Sequence, residues 1–312
     1  MSVPAIHLVG SGVVGRRLRR TLGDRAVTVH VPRAIDHSVI REGDVVVLVH
    51  GTAHAPLVAR VIERGAHVVT VGDTLDDVRE LLEFDASARG RGTTVVVGAG
   101  MTPGLSGLIA RHLAAQLHVV DEIHIAIHGT AGPACARDHH ESLRGWAPGW
   151  HDGAWVDTFC GSGRELCWFP EPIGALDCYR ARMASPVLLH HSFPDVTRVS
   201  ARRSARRRDR LTARLPMLSP PHQEGGVGAL RVELRGGAAD GSRHCLIAGI
   251  AELVGTTAAA TAAAFAALIV DEGLPSGVVV PGDEHLPTTE LLRRITIYGV
   301  RLQEFTGIPQ AS

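Results

Sequence analysis

Short apolar runs alternate with amphipathic stretches over the first 120 residues. The apolar runs, rich in valine, cover residues 5–9, 27–31, 44–49, 67–71 and 93–97. The stretches that read as helices cover residues 16–22, 55–63, 76–88 and 104–117. Apolar strands separated by helices are typical of a parallel sheet covered on both faces, and the crossovers in such sheets are right-handed. The pattern therefore predicts an α/β fold with an N-terminal, doubly wound parallel sheet over residues 1–120.

The pattern changes after residue 120. A strand is predicted over residues 121–128, and the shorter apolar runs after it are separated by turn residues: 187–191, 196–201, 230–234 and 244–250. Two helices are predicted near the end, an alanine-rich one over 255–272 and another over 287–297. We therefore expect a second, α+β mixed-sheet domain over residues 121–312, for substrate binding and dimerisation, with its C-terminal helices packed back on the first domain. Short strands and apolar edges that need cover predict a homodimer.

A glycine-rich turn follows the first strand and opens the first helix. It consists of Gly10, Ser11, Gly12, Val13, Val14 and Gly15. In this position, the first glycine permits a tight turn, the second lets the backbone approach a pyrophosphate, and the third lets helix and strand pack closely. The alternative is a sheet protein that merely turns tightly here. Because the motif and its context agree, we interpret residues 10–15 as a dinucleotide site of the Rossmann type.

The end of the second strand bears on the choice of dinucleotide. NAD-binding folds usually carry Asp or Glu there to hold the ribose 2′-hydroxyl, whereas this strand ends His30-Val31-Pro32-Arg33. An arginine at this point pairs with a 2′-phosphate, so Arg33 favours NADP(H). The alternative is that Arg33 is a solvated loop residue. Because the carboxylate of Asp36 is nearby in the sequence, NAD(H) is also a candidate cofactor.

Three segments carry a family resemblance: AHAPLVA (53–59), GAHVVTVGD (65–73) and VGAGMTPGLS (97–106). They resemble the saccharopine dehydrogenase-like family, in particular the saccharopine reductases. That family has a His at the start of the helix after the third strand, a VVT fourth strand and a Gly-x-Asp-Pro-Gly turn after the fifth. Looser likenesses follow at 168–170, Gly174, 277–281 and 291–299.

The resemblance implies an NAD(P)H-dependent oxidoreductase that reduces, or forms by oxidation, a C=N or C=O group of a small amino-acid-like or carboxylate metabolite. Thr102 stands where the family often has Asp, which indicates altered chemistry. A dinucleotide-binding regulatory or scaffold protein without turnover is the alternative.

Ligands of doubly wound sheets bind at the carboxyl ends of the strands. We therefore expect His50, Gly51, Gly100 and Met101 to lie along the cofactor, and Asp73 and Thr102 to face the reacting centre. Asp73 as a residue of the next helix N-terminus is an equally good interpretation.

Residues 129–163 show no helical or strand period and hold three of the four tryptophans, which is typical of an active-site loop. Within it, His139 or His140 is the candidate proton donor, because histidine titrates near neutral pH. The candidate substrate ligands are Ser142 and Arg144, the latter through its planar guanidinium. Four ligands with the spacing of a zinc site are missing, so we expect no metal.

Composition narrows the picture. The formal net charge is zero, and all 32 basic residues are arginine, for which a GC-rich bacterial coding bias is the simplest explanation. The absence of lysine excludes a Schiff-base or P-loop lysine. A neutral balance argues against nucleic-acid binding, and the basic run 202–210 is interpreted as a solvated helix face. Five cysteines without a CxxC pair, and apolar stretches too short to span a bilayer, predict a cytoplasmic protein without membrane contact.

Overall fold

The computed structural model describes residues 4–23, 25, 27–30, 37–217 and 220–305. The strands are β1 (Ile6–Val9), β2 (Val27–His30), β3 (Val45–Leu48), β4 (His67–Thr70), β5 (Thr94–Val96), β6 (Val119–His128), β7 (Trp146–His151), β8 (Ala154–Phe159), β9 (Glu165–Trp168), β10 (Ala175–Arg180), β11 (Arg198–Ser204), β12 (Val227–Gly237), β13 (Arg243–Leu253), β14 (Gly277–Val279) and β15 (Gln303–Glu304). The helices are α1 (Val13–Leu22), α2 (Ala55–Glu63), α3 (Leu75–Leu82), α4 (Asp85–Gly90), α5 (Leu105–Ala114), α6 (Pro133–Glu141), α7 (Ser185–Ser192), α8 (Arg207–Thr212), α9 (Val254–Asp271) and α10 (Thr288–Ile297).

The first sheet is parallel and doubly wound, as the sequence predicts. Its described strands follow the order β14-β5-β4-β3-β1-β2. The apolar runs are continuous because both faces are buried. Val45 and Val47 pack into one hydrophobic cluster, while Val46 and Leu48 pack into another on the opposite face. The direction of sheet growth reverses between β1 and β3, so a crevice opens at the carboxyl ends of these two strands.

The second sheet is mixed, which confirms the predicted class. Its described strands follow the order β15-β13-β12-β6-β11-β10-β9, and the β7–β8 hairpin pairs with β11 through β7. Only β6 and β11 run parallel among the pairs of this sheet in the described ranges. Along β6, Ile123, Ile125 and Ile127 face the main core, while His124 alternates with them on the opposite face.

The alanine-rich helix α9 fills the space between the two sheets. It packs against α1 and α10 and contacts strands of both sheets. Alanine permits this close approach because its side chain is a single methyl group. The helix is long and apolar enough to span a membrane by length and composition, but 83% of its 18-residue window is buried inside the protein. It is therefore a core helix.

The chain returns to the first sheet near its C-terminal end. β14 pairs with β5 in parallel register, and α10 packs against α9 and α5. The sequence pattern did not identify β14, because a three-residue strand is too short to show a period. The first sheet thus contains residues from both sides of the predicted boundary at residue 120, and the boundary itself stays a prediction.

Two local predictions were wrong. Residues 187–191 lie in helix α7 instead of a strand. Pro186 occupies the first turn of that helix, where its missing N–H costs nothing, and the short apolar run after it fits a buried helix as well as a strand.

The predicted aperiodic loop over 129–163 also forms regular structure. It contains helix α6, which begins at Pro133, and the β7–β8 hairpin. Pro148 and the glycines at 145, 149 and 153, within or beside the hairpin strands, hid the alternation of its side chains.

Candidate cofactor and substrate site

The glycine turn after β1 packs so closely on its surroundings that two of its glycines leave no room for a side chain. Gly10 has φ +124°, and a Cβ there would lie 3.0 Å from the Val49 carbonyl group. A Cβ on Gly15 would overlap the Gly10 carbonyl oxygen, so Gly15 lets α1 pack against the turn. A Cβ on Gly12, by contrast, would meet open space within 4 Å. Among the described residues no side chain caps the first turn of α1, so its N–H groups are available to an anionic ligand.

A cavity of about 570 Å³ opens above this turn. A volume of this size is within the usual range of small-molecule and cofactor sites. The cavity collects nearly all of the predicted cofactor residues: Gly10, Ser11, Gly12, Val13, Val14, His50, Gly51, Gly100 and Met101. Gly15 lies beneath the turn instead of in the lining. Arg33, the predicted 2′-phosphate ligand, lies outside the described residues.

The loop that follows β3 is held in place by a carboxylate of helix α3. The Asp77 carboxylate, from α3, accepts hydrogen bonds from the backbone N–H groups of His54 and Ala55, at 2.8 and 3.0 Å from Oδ1. His54 is fully buried, and its Nε2 donates to the His50 carbonyl oxygen at 3.0 Å. Burial lowers the pKa of His50 to about 4, so that the ring is neutral at physiological pH. The sequence prediction of cofactor contacts missed this support from Asp77.

A second cavity, of about 680 Å³, adjoins the first. Five residues line both cavities: Asp73, Thr74, Thr102, Asp138 and Arg203. We call these five residues the junction. The structure thus brings the predicted reacting-centre residues Asp73 and Thr102 together, and it adds Asp138 and Arg203, which sequence reasoning missed.

Arg203 is a buried cation at the junction. It is 5% exposed, and its Nη1 donates to Ser142 Oγ at 3.0 Å. Its Nε and the Thr102 hydroxyl have no hydrogen-bond partner within the described part of the chain, although both atoms are buried. Unpaired buried polar groups are costly, so these two atoms are suited to binding a ligand.

The interpretation of residues 202–210 as a solvated helix face was therefore wrong at its beginning. Residues 202–204 end strand β11, and α8 begins only at Arg207. Val199, Ala201 and Arg203 pair with the isoleucines of β6 and share their core-facing side. This two-residue alternation was present in the sequence, but the density of arginines concealed it.

Two carboxyl groups at the junction have raised pKa values. The pKa of Asp138 is raised to about 6 by burial and by the negative charges of Asp73 and Glu141, while Arg203 opposes the shift. Burial also raises the pKa of Asp73, again against Arg203. Asp73 does not cap α3: the N-cap position is Thr74, which makes no capping hydrogen bond through its side chain. An acid with a pKa near 6 can both give and take a proton near neutral pH.

Neither predicted proton donor lines either cavity. His139 has a pKa well below the ordinary histidine value because of burial and the nearby Arg203 charge. The His140 Nε2 lies 2.9 Å from the Leu215 carbonyl oxygen. Successive helical residues point about 100° apart, so α6 can direct Asp138 into the site and turn its two neighbours away.

The two predicted substrate ligands both line the second cavity. The Ser142 hydroxyl is already engaged in two hydrogen bonds: it accepts one from Arg203 and donates one to the His139 carbonyl oxygen at 2.8 Å. It therefore orients Arg203. Arg144 is more exposed and lies 3.5 Å from the Glu141 carboxylate.

The lining of the first cavity, above the glycine turn, also includes the unreactive thiol of Cys135. Its pKa is raised to about 11, mainly by burial and by the Asp73 charge. It is therefore protonated at neutral pH, which argues against a nucleophilic role.

Comparison with solved structures identifies the fold. The chain matches apo saccharopine dehydrogenase (L-Glu forming) from Saccharomyces cerevisiae with a TM-score of 0.66 and 15% sequence identity, covering 97% of this chain and 99% of that one. The chain has the fold of saccharopine dehydrogenase. At this identity the likeness concerns the fold alone.

Two further solved structures match this chain with a TM-score of 0.50. They are DAP dehydrogenase from C. glutamicum in complex with DAP, at 15% identity, and an engineered D-amino acid dehydrogenase bound to NADP+, at 12% identity. Each match covers 93% of this chain and 96% of the other. No family model and no curated protein matches the sequence.

Proposed function

We propose that the protein is an NAD(P)H-dependent oxidoreductase that reduces, or forms by oxidation, a C=N or C=O group of a small carboxylate or amino-acid-like metabolite. The observation that carries the proposal is the junction, where a buried arginine with an unpaired Nε and two carboxyl groups of raised pKa separate a glycine-turn cavity from a second one. The fold supports it, since its solved neighbours are dehydrogenases.

The residues present fit a nicotinamide dinucleotide. The open space over Gly12 accommodates a pyrophosphate beside the free N–H groups of α1, and the unpaired His50 Nε2 lies in the same cavity. When bound, the nicotinamide supplies or accepts the hydride. Gly10, Gly12 and Gly51 would hold the cofactor's phosphates and ribose along the strand ends.

The junction then acts on the substrate. Arg203 binds a substrate carboxylate through its guanidinium, whose position Ser142 fixes. Asp138 gives a proton to the nitrogen or oxygen of the reacting group during reduction and takes it back during oxidation. The Thr102 hydroxyl hydrogen-bonds the same atom, and the Asp73 charge keeps the pKa of Asp138 high.

A substrate panel tests the proposal. NADPH and NADH oxidation is followed at the nicotinamide absorbance with 2-oxo acids, alone and with amines, after binding of each cofactor has been measured. Turnover with at least one carboxylate-bearing carbonyl or imine is expected. A protein that binds the cofactor and consumes none across the panel would be a binding protein without turnover.

We propose NADP(H) as the preferred cofactor, because the second strand ends without a carboxylate and is followed by Arg33. NADPH is expected to bind at least about tenfold more tightly than NADH, and Arg33→Ala to remove most of the difference, since charge-assisted hydrogen bonds contribute about 1.5–3 kcal/mol. Equal dissociation constants for the two cofactors in the parent protein, measured by fluorescence titration, would refute the preference.

We also propose a cytoplasmic homodimer formed through the second sheet. Within the described ranges β8 pairs only with β7, and its Trp155, Val156 and Phe159 are 44%, 42% and 49% exposed. An apolar strand with an open edge is a ready interface for a second copy. Light scattering should give the mass of two chains; a single-chain mass at all concentrations would exclude the dimer.

A further inference from the structure

The second sheet has a further face, opposite the one that packs on the main core. The connection between β9 and β10 folds across this face, because Pro170 lies over Gly249 of β13, close enough that a Cβ on that glycine would be 3.2 Å from the proline ring. Phe169 and Cys178 pack there with Ala126 of β6 and Ala229 of β12. These residues form a small hydrophobic cluster on this face.

A third cavity, of about 340 Å³, lies on the same face, where His124 of β6 lines it beside the β7–β8 hairpin. We call it the hairpin cavity. Its polar lining is formed by His124, His151, Thr158, Glu165, Arg180, Arg198, Ser200, Arg202 and Arg235. It shares no lining residue with the two cavities that meet at the junction. Ser200 and Arg202 reach it because they alternate along β11 with Arg203, which faces the other side.

Positive charge predominates in the hairpin cavity. Four arginines line it, against one carboxylate, Glu165, which pairs with Arg202 at 2.9 Å. Arg235 pairs with Glu233 at 2.6 Å.

The other two cations of the cavity are underused. The Arg180 guanidinium has no ion-pair partner within the described part of the chain. Arg198 Nη2 contacts His151 Nε2, and its Nη1 lies 3.8 Å from the Glu122 carboxylate, which also binds His124 and Arg235. Two guanidinium groups therefore face the cavity with spare donors.

The polar groups beside these cations are held in order by a chain of hydrogen bonds. The His124 ring lies between Glu122, 2.9 Å from Nε2, and Ser200, 2.8 Å from Nδ1. Arg202 Nη1 donates to Ser200 Oγ at 3.2 Å. Since Glu122 is an acceptor, Nε2 carries the proton of the neutral ring, and the Ser200 hydroxyl donates to Nδ1. This orientation fixes one wall of the cavity before any ligand arrives.

We propose that the hairpin cavity binds the oxyanion group of a small metabolite, a carboxylate or a phosphate, between Arg180 and Arg198. The planar guanidinium supplies paired donors that match both groups. The ligand enters a site separate from the cofactor and substrate cavities, and β11 forms a wall of both.

Isothermal titration calorimetry with inorganic phosphate and with succinate tests the proposal and distinguishes the two sources of the oxyanion. The protein is saturated with NADP+ so that phosphate does not occupy the glycine turn. Saturable binding of at least one probe is expected. Arg180→Gln and Arg198→Gln should each weaken it by about tenfold or more, because a hydrogen bond to a charged group contributes about 1.5–3 kcal/mol.

Arg207→Gln is the matched control, since it removes the same charge from the exposed helix α8 and should leave binding unchanged. Thermal unfolding checks that each variant is folded, and Arg198→Gln carries the test if Arg180→Gln is not. The site is located between these two arginines if Arg180→Gln and Arg198→Gln both lose the binding while phosphate still binds the glycine turn of each variant without cofactor. Absence of saturable binding, or binding equal in the parent and in the cavity variants, would overturn the proposal.

Discussion

Arg203→Gln is expected to lower kcat/KM by about 30-fold to several thousand-fold, since losing one partner of a buried, hydrogen-bonded charge pair costs about 2–5 kcal/mol. The loss should fall mainly on KM for the carboxylate substrate, because Arg203 acts by binding it. The dissociation constant of NADPH should change little, since the glycine turn lines only the first cavity, whereas Arg203 lies at the junction with the second. Steady-state kinetics and a cofactor titration measure both quantities.

A matched control and a matched substrate sharpen this prediction. Arg207→Gln removes an exposed arginine from the same basic run and should leave the kinetics unchanged. In the parent enzyme, kcat/KM for the methyl ester of the substrate should lie below kcat/KM for the acid by the same factor by which Arg203→Gln lowers kcat/KM for the acid. In the variant, acid and ester should have the same kcat/KM. A change of less than threefold in Arg203→Gln would remove Arg203 from the substrate site.

Asp138→Asn is expected to lower kcat for reduction by about 100- to 10,000-fold, the usual contribution of a general acid. In the parent enzyme the acid must carry its proton, and its pKa is raised to about 6. The reductive kcat/KM should therefore be highest below pH 6 and fall tenfold per unit above it. The oxidative direction, which needs the ionised form, should rise through the same range.

The pH profile separates a proton donor from a structural residue. The limb near pH 6 should disappear in Asp138→Asn and move to higher pH in Arg203→Gln, because the Arg203 charge lowers the pKa of Asp138. Asp195→Asn, at an exposed turn, is the control for loss of one carboxylate and should keep the parent profile. A profile in Asp138→Asn with the same limb as the parent would assign the proton to another group.

Strong periodicity made the first sheet predictable. Runs such as Val45–Leu48 are apolar at every position because both faces are buried, and the glycine turn had to follow β1 for helix and strand to pack. Short apolar segments carried less information. Residues 187–191 fit either a strand or a helix, and Pro186 decided the outcome by starting α7.

The site was predictable where the backbone forms it and less so where side chains from distant elements converge. Strand ends located Gly10, His50 and Gly100 in one cavity. Asp138 and Arg203, by contrast, meet Asp73 only through packing of α6 and β11 on the first sheet, a contact that no local pattern encodes. From sequence, His139 was the better candidate for a proton donor than Asp138, because the ordinary pKa of histidine lies near neutral pH. The pKa of the Asp138 carboxyl group is raised by burial and by neighbouring charges, which only the folded structure shows.

The most direct test of the junction as the catalytic centre is a crystal structure with NADP+ and a non-reacting carboxylate analogue of the substrate. The substrate carboxylate should lie on the Arg203 guanidinium, with the reacting atom within hydrogen-bond distance of Asp138 and Thr102 and the nicotinamide on the side of Gly100. An analogue bound away from Arg203, with the nicotinamide directed to another wall of the cavity, would contradict the account.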